Sequence, residues 1–145
     1  MITANLNNPE LHETWTENDP TQHCRSTFPL AGALGTENSA AVYLELAPGD
    51  HLGRHTDSAE EVLLILAGPV EVSVGEETGQ LSAGQMALVP TMVPHDIRNV
   101  GEEIARVVGF FGSPNIVATF DEVWQPDNTR VIDTAAMFAQ MAQAI

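Results

Sequence analysis

Pro48-Gly49-Asp50-His51-Leu52-Gly53-Arg54-His55-Thr56-Asp57-Ser58-Ala59-Glu60-Glu61 leads directly into the apolar run Val62-Leu63-Leu64-Ile65-Leu66. A Pro-Gly turn, a short polar segment and a strand-length apolar run read as β structure. Side chains alternate faces along a strand, so His51, His55 and Asp57 share a face wherever that strand stays regular. Glu61 opens the next strand on the face of Leu63 and Ile65. An ionised carboxylate on such a face is costly unless it meets a cation.

A second segment has the same character: Val89-Pro90-Thr91-Met92-Val93-Pro94-His95, followed by alternating Asp96, Ile97, Arg98 and Asn99. Two histidines and one carboxylate are the parts of a site that occupies one face of a metal ion and leaves other positions open. Convergence of these groups is not readable from spacing alone.

Outward from these segments, strand-length apolar runs lie at residues 26–30, 40–46, 61–66, 70–74, 86–89 and 104–111. Val70–Val74 alternates Val, Glu, Val, Ser, Val, the mark of a half-buried strand. Pro48-Gly49-Asp50, Gly68-Pro69, Gly75 to Gly79 and Ala83-Gly84 supply turns. Many short strands with this punctuation predict an all-β barrel or sandwich. Residues 1–24 read as a polar arm, with Trp15 pinning it to the barrel or to a partner subunit. Residues 113–145 read as an extension ending in a short helix, capped at Asp133 or Thr134, with Met137, Phe138 and Met141 on one face. Whether residues 112–129 wrap the barrel or cover its mouth stays open.

Both quoted segments resemble the two motifs of the cupin superfamily. In the first, Gly49, His55, Asp57, Glu61 and Gly68 stand at the family spacing. In the second, Gly84, Pro90, Met92, His95 and Asn99 do so. Two positions depart: Asp57 stands where a second His is usual, and Met92 where Gly is usual. The resemblance covers roughly half the chain and implies an antiparallel double-stranded β-helix, or jelly-roll barrel, over residues 25–112. It also implies a metal held by His55, Glu61 and His95. Asp57 either adds a carboxylate ligand or is too short to reach. His51 is an alternative ligand from the same strand face, or a residue at the pocket mouth. Glu60 lacks the spacing of Glu61, and His12 and His23 read as surface residues of the arm.

A donor set of imidazole and carboxylate favours Fe(II) or Mn(II), with Zn or Ni as the alternatives. Barrels of this superfamily serve many activities. The leading expectation is a metal-dependent, dioxygenase-type oxidoreductase acting on a small molecule. A ligand-binding or sensing module and a metal-free structural barrel are the alternatives. Parity turns Arg54 away from His55 and Arg98 away from His95. The interior, lined by Leu63, Ile65, Val107 and Phe111, therefore lacks a cation, which argues for a neutral or metal-chelating ligand over a sugar phosphate.

Composition narrows the partners. The chain has 145 residues, 20 Asp and Glu against 5 Arg and no Lys, and a formal net charge of −15. Such a surface repels nucleic acid phosphates and anionic membranes. Cys24, the single cysteine, cannot form an internal disulfide and reads as structural. With no signal-like or membrane-length apolar segment, the expected location is the cytoplasm. Val62, Leu64 and Leu66 give the strand from Glu61 a second apolar face, to be covered by another sheet or by a second subunit. The family resemblance favours a homodimer.

Overall fold

The computed structural model describes residues 1–143 of the chain. Twelve strands are present: β1 (His12–Thr16), β2 (His23–Leu30), β3 (Ala40–Leu46), β4 (His55–Asp57), β5 (Glu61–Ala67), β6 (Val70–Val74), β7 (Glu77–Leu81), β8 (Met86–Val89), β9 (His95–Asn99), β10 (Ala105–Phe111), β11 (Val117–Gln125) and β12 (Thr129–Asp133). One helix, α1 (Thr134–Gln143), follows. The strands pair antiparallel in the order β7-β6-β9-β4-β11-β1-β2-β3-β10-β5-β8, with β12 added beside β11. This continuous path curls into a near-closed all-β barrel, the architecture expected from the sequence. Closure leaves few free strand edges.

Alternation on each strand sends one set of side chains into a common core. Leu44 and Leu46 of β3, Leu63 and Ile65 of β5, Val70 and Val72 of β6, Ile97 of β9, and Val107 and Phe111 of β10 are all buried there. Each of these strands was legible as an apolar or alternating run, and β3, β6 and β8 have the expected limits. The helix is also where the sequence places it. Asp133 Oδ1 accepts the backbone N–H of Ala136 at 3.2 Å, so Asp133 is the capping residue.

Three segments differ from the sequence reading. The polar stretch 1–24 contributes β1, which lies between β2 and β11. Its inward residues Thr14 and Thr16 are small and polar, so it carries no apolar period. Trp15, expected as an anchor, is 39% exposed on the outer face. Within 75–79, read wholly as a turn, Glu77 to Gly79 already belong to β7, an edge strand whose first four residues are exposed. With no buried face, it carries no hydrophobic signal. The open question of residues 112–129 resolves into β11, which pairs with β4, β1 and β12 and forms barrel wall.

The outer face of β5 is covered only in part. Val62, Leu64 and Leu66 are half-buried. Their cross-strand neighbours Met86, Leu88 and Phe110 are exposed by 59%, 56% and 46%. No described helix is long and apolar enough to cross a membrane.

Candidate metal centre

The three-residue strand β4 puts His55 and Asp57 on the inner face and Thr56 on the outer one, and both inner side chains are buried. Antiparallel pairing with β9 sets His95 directly opposite His55. The two rings lie 4.0 Å apart between centroids. From β5, on the other side of the barrel, Glu61 points into the same space. One ligand atom each from His55, Asp57 and His95 lies within 4.8 Å of the others, and all three residues are buried. Asp57 Oδ2 is 3.0 Å from His95 Nε2 and 3.7 Å from His55 Nε2. Glu61 Oε1 is 3.3 Å from His95 Nε2.

Both imidazoles are oriented from behind. His55 Nδ1 donates to the Gly53 carbonyl at 2.7 Å, and His95 Nδ1 donates to the Val93 carbonyl at 2.9 Å. A carbonyl can only accept, so each Nδ1 carries the proton in the neutral ring and each Nε2 lone pair faces the cluster. Metal-binding histidines are held in this way. Gly53 is central to the arrangement. It takes φ +96°, and a Cβ there would overlap the Gln22 side-chain amide, which donates to the Leu52 carbonyl. The Gly53 N–H in turn donates to Asp96 Oδ1 at 2.8 Å.

The electrostatics of the bare cluster are unfavourable. Burial, then repulsion from His95, pulls His55 down to about 4. Burial also opposes charge on His95, but the neighbouring Asp57 and Glu61 carboxylates outweigh it and raise His95 well above the ordinary imidazole range. Glu61 is pushed upward, chiefly by burial. Asp57 Oδ2 and His95 Nε2 have no partner in hydrogen-bond geometry despite their proximity. Unsatisfied buried groups of this kind are costly. A divalent cation between neutral imidazoles and ionised carboxylates would satisfy both atoms, so the donor set fits a metal ion.

The candidates named from the sequence divide clearly. His55, His95 and Asp57 are brought together, and Asp57, which has taken the place of a histidine, is long enough to reach the cluster. Glu61 borders it through His95. His51 faces elsewhere: its Nδ1 meets Asp96 Oδ2 at 2.7 Å and its Nε2 meets Asp19 Oδ2 at 2.9 Å. Both ring nitrogens are spent on carboxylates, so His51 supports the centre from outside. His23 likewise bridges Asp50 and Glu13. His12 is exposed and Cys24 is buried. Arg54 is exposed, and Arg98 donates to the Gly49 carbonyl, so both point outward as parity required. Asn99 donates to the Leu46 and Glu103 carbonyls and accepts from the Gly101 N–H, organising a turn.

Met92 keeps the backbone shape that its position demands, with φ +63°. Its N–H donates to the Asp57 carbonyl at 2.9 Å. Gly109 was not singled out by the sequence reading. A Cβ there would collide with the Glu61 carboxylate and crowd Val42. A glycine inside the apolar strand β10 was the available signal, because such a glycine marks a close approach.

Residues 42–111 match the family described as Cupin domain. The chain carries a cupin domain. The match spans both motif segments, from β3 through β10. Among curated relatives, this cupin is 36% identical over 64 residues to the protein named polyketide synthase CurC of Streptomyces cyaneus, covering 43% of this chain and 42% of that one. It is 33% identical over 87 residues to protein SchB of Streptomyces halstedii, covering 59% and 61%. The matches thus span less than two thirds of either relative. Among solved structures, salicylate 1,2-dioxygenase of Pseudoaminobacter salicylatoxidans superposes with a TM-score of 0.55 at 19% identity, over 63% of this chain and 25% of that one. That likeness is one of fold.

Proposed function

We propose that this cupin is a metal-dependent enzyme that oxidises a neutral, metal-chelating small molecule, with Fe(II) or Mn(II) as its ion. The observation that carries the reading is the pair of unsatisfied buried atoms, Asp57 Oδ2 and His95 Nε2, on residues that line an apolar cavity. In this reading His55, Asp57 and His95 are ligands, and Glu61 completes the set from across the barrel. Bound there, the ion would supply open coordination positions for an oxygen-bearing substrate and for dioxygen.

The protein's own part is positioning and exclusion of water. Leu44, Leu52, Leu63, Ile97 and Phe111 give the cavity apolar walls, and no arginine lines it. An anionic substrate would enter without a countercharge, whereas a neutral hydroxy-ketone loses little on desolvation and can chelate through two oxygens. CurC carries the name of a polyketide synthase, and polyketide-type molecules are rich in adjacent hydroxyl and ketone groups. The name of the dioxygenase neighbour accords with oxidation.

Anaerobic loading with Fe(II), followed by oxygen-uptake assays on aromatic hydroxy-ketones, tests the proposal. Uptake by the wild type and none by His95→Ala supports it. Metal-loaded protein that binds such compounds without consuming oxygen would mark a ligand-binding barrel instead.

A further inference from the structure

Four buried side-chain polar atoms have no hydrogen-bond partner among the described residues, and three of them belong to residues lining one cavity. Asp57 and His95 are explained by the metal centre. The third is the indole Nε1 of Trp124. Trp124 is 3% exposed, so bulk water does not satisfy it. Phe120 stacks on His55 with centroids 4.5 Å apart and planes 17° apart, and Trp124 meets Phe120 edge-on at 5.4 Å. Trp124 therefore stands one ring beyond the metal-facing histidine, within the same cavity of about 70 Å³. Of the other polar groups nearby, Thr14 Oγ1 and Cys24 Sγ engage each other at 3.4 Å.

We propose that Trp124 is a substrate-orienting residue whose indole N–H donates to an oxygen on the side of the substrate away from its metal-chelating group. The inference rests on the proposed function, because it takes the chelating end of the ligand to lie at the His55–Asp57–His95 centre. An indole N–H is a donor only, so it selects an acceptor. With no arginine lining the cavity, that acceptor is a neutral carbonyl or ether oxygen in preference to a carboxylate. Phe28, Phe111 and Phe120 offer aromatic walls, which suit a flat ligand. The ligand class is a small neutral aromatic with a hydroxy-ketone chelate on one edge and a second carbonyl opposite it.

Two probes separate the two ends. Juglone has a chelating peri-hydroxy ketone and an opposite carbonyl; the corresponding peri-hydroxy tetralone keeps the chelate and lacks that carbonyl. The readout is the indole N–H signal of Trp124 in nitrogen-15 NMR of zinc-loaded protein, with the exposed Trp15 as internal reference and Trp124→Phe giving the assignment. The expected result is a downfield shift of the Trp124 signal with juglone and not with the tetralone. Trp124→Phe should weaken juglone binding about five- to tenfold more than it weakens tetralone binding. Equal binding of both probes with an unmoved Trp124 signal would overturn the inference and leave the metal-centred reading intact. An N–H signal already upfield in the free protein, lodged on the Phe120 face, and unmoved by juglone would do the same. Binding of neither probe would overturn the proposed function and this inference with it.

Discussion

Two histidine–carboxylate clusters sit back to back in this barrel, and they are built differently. Outside, His51 lies between Asp19 and Asp96 with both ring nitrogens engaged at 2.9 and 2.7 Å. Inside, His55 and His95 each commit Nδ1 to a backbone carbonyl and leave Nε2 facing Asp57 and Glu61, with Asp57 Oδ2 and His95 Nε2 unsatisfied. The outer cluster is complete as it stands: His51 engages two partly exposed carboxylates through both ring nitrogens and fastens the β1–β2 turn to the barrel. The inner cluster leaves two buried polar atoms without partners. Similar residue types thus perform opposite tasks, and partner accounting distinguishes them. Asp96 links the two, because it holds both His51 and the Gly53 peptide that orients His55.

The sharpest way to break the contrast is to remove charge from the inner cluster. Asp57→Asn should lower affinity for Mn(II) or Fe(II) by about a hundredfold or more, read by competition with a chelating dye. His51→Ala should leave more than a tenth of the affinity in place, because it acts through Asp96 and Gly53.

The next effect is steric. Gly109→Ala forces a methyl group against the Glu61 carboxylate and Val42. It should cost about 2–3 kcal/mol in urea unfolding and weaken metal binding together with stability. A variant that keeps wild-type stability would show that β10 does not press on Glu61.

Smaller still is the outer clamp. Asp96, against the cost of burial and with help from Asp19, raises the pKa of His51 above its ordinary 6.5. A histidine raised on folding adds stability that is fully present below the unfolded value and is lost as pH rises through the folded one. In metal-free protein, His51→Ala should therefore cost about 1–2 kcal/mol near pH 6, modest because the carboxylates are partly exposed. That difference from wild type should shrink in the alkaline range, as unfolding at several pH values would reveal. The smallest effect is at Met92, which holds a left-handed backbone at φ +63°. Met92→Gly should raise stability by about 1 kcal/mol with metal affinity unchanged.

Much of this molecule was legible because strands with one buried face write their period into the sequence. Val70–Val74 and the motif spacing around His55 and His95 are examples. What stayed illegible lacks that period for physical reasons. β1 turns threonines inward, β7 is an edge with nothing to bury, and β11 loses regular pairing between Thr119 and Trp124. At the centre, spacing identified the histidines, but whether Asp57 reaches inward depends on the pairing of β4 with β9. The roles of Gly53 and Gly109 depend on which side chains pack where a Cβ would stand. The clamp around His51 draws on Asp19, Asp96 and β4's flanking loop, residues far apart in sequence.

Metal content tests the central claim most directly. Protein purified without added metal or chelator should contain close to one iron or manganese ion per chain by elemental analysis, and His95→Ala, folded by circular dichroism, should contain almost none. Wild-type protein that carries no metal and binds none on anaerobic reconstitution would contradict the account.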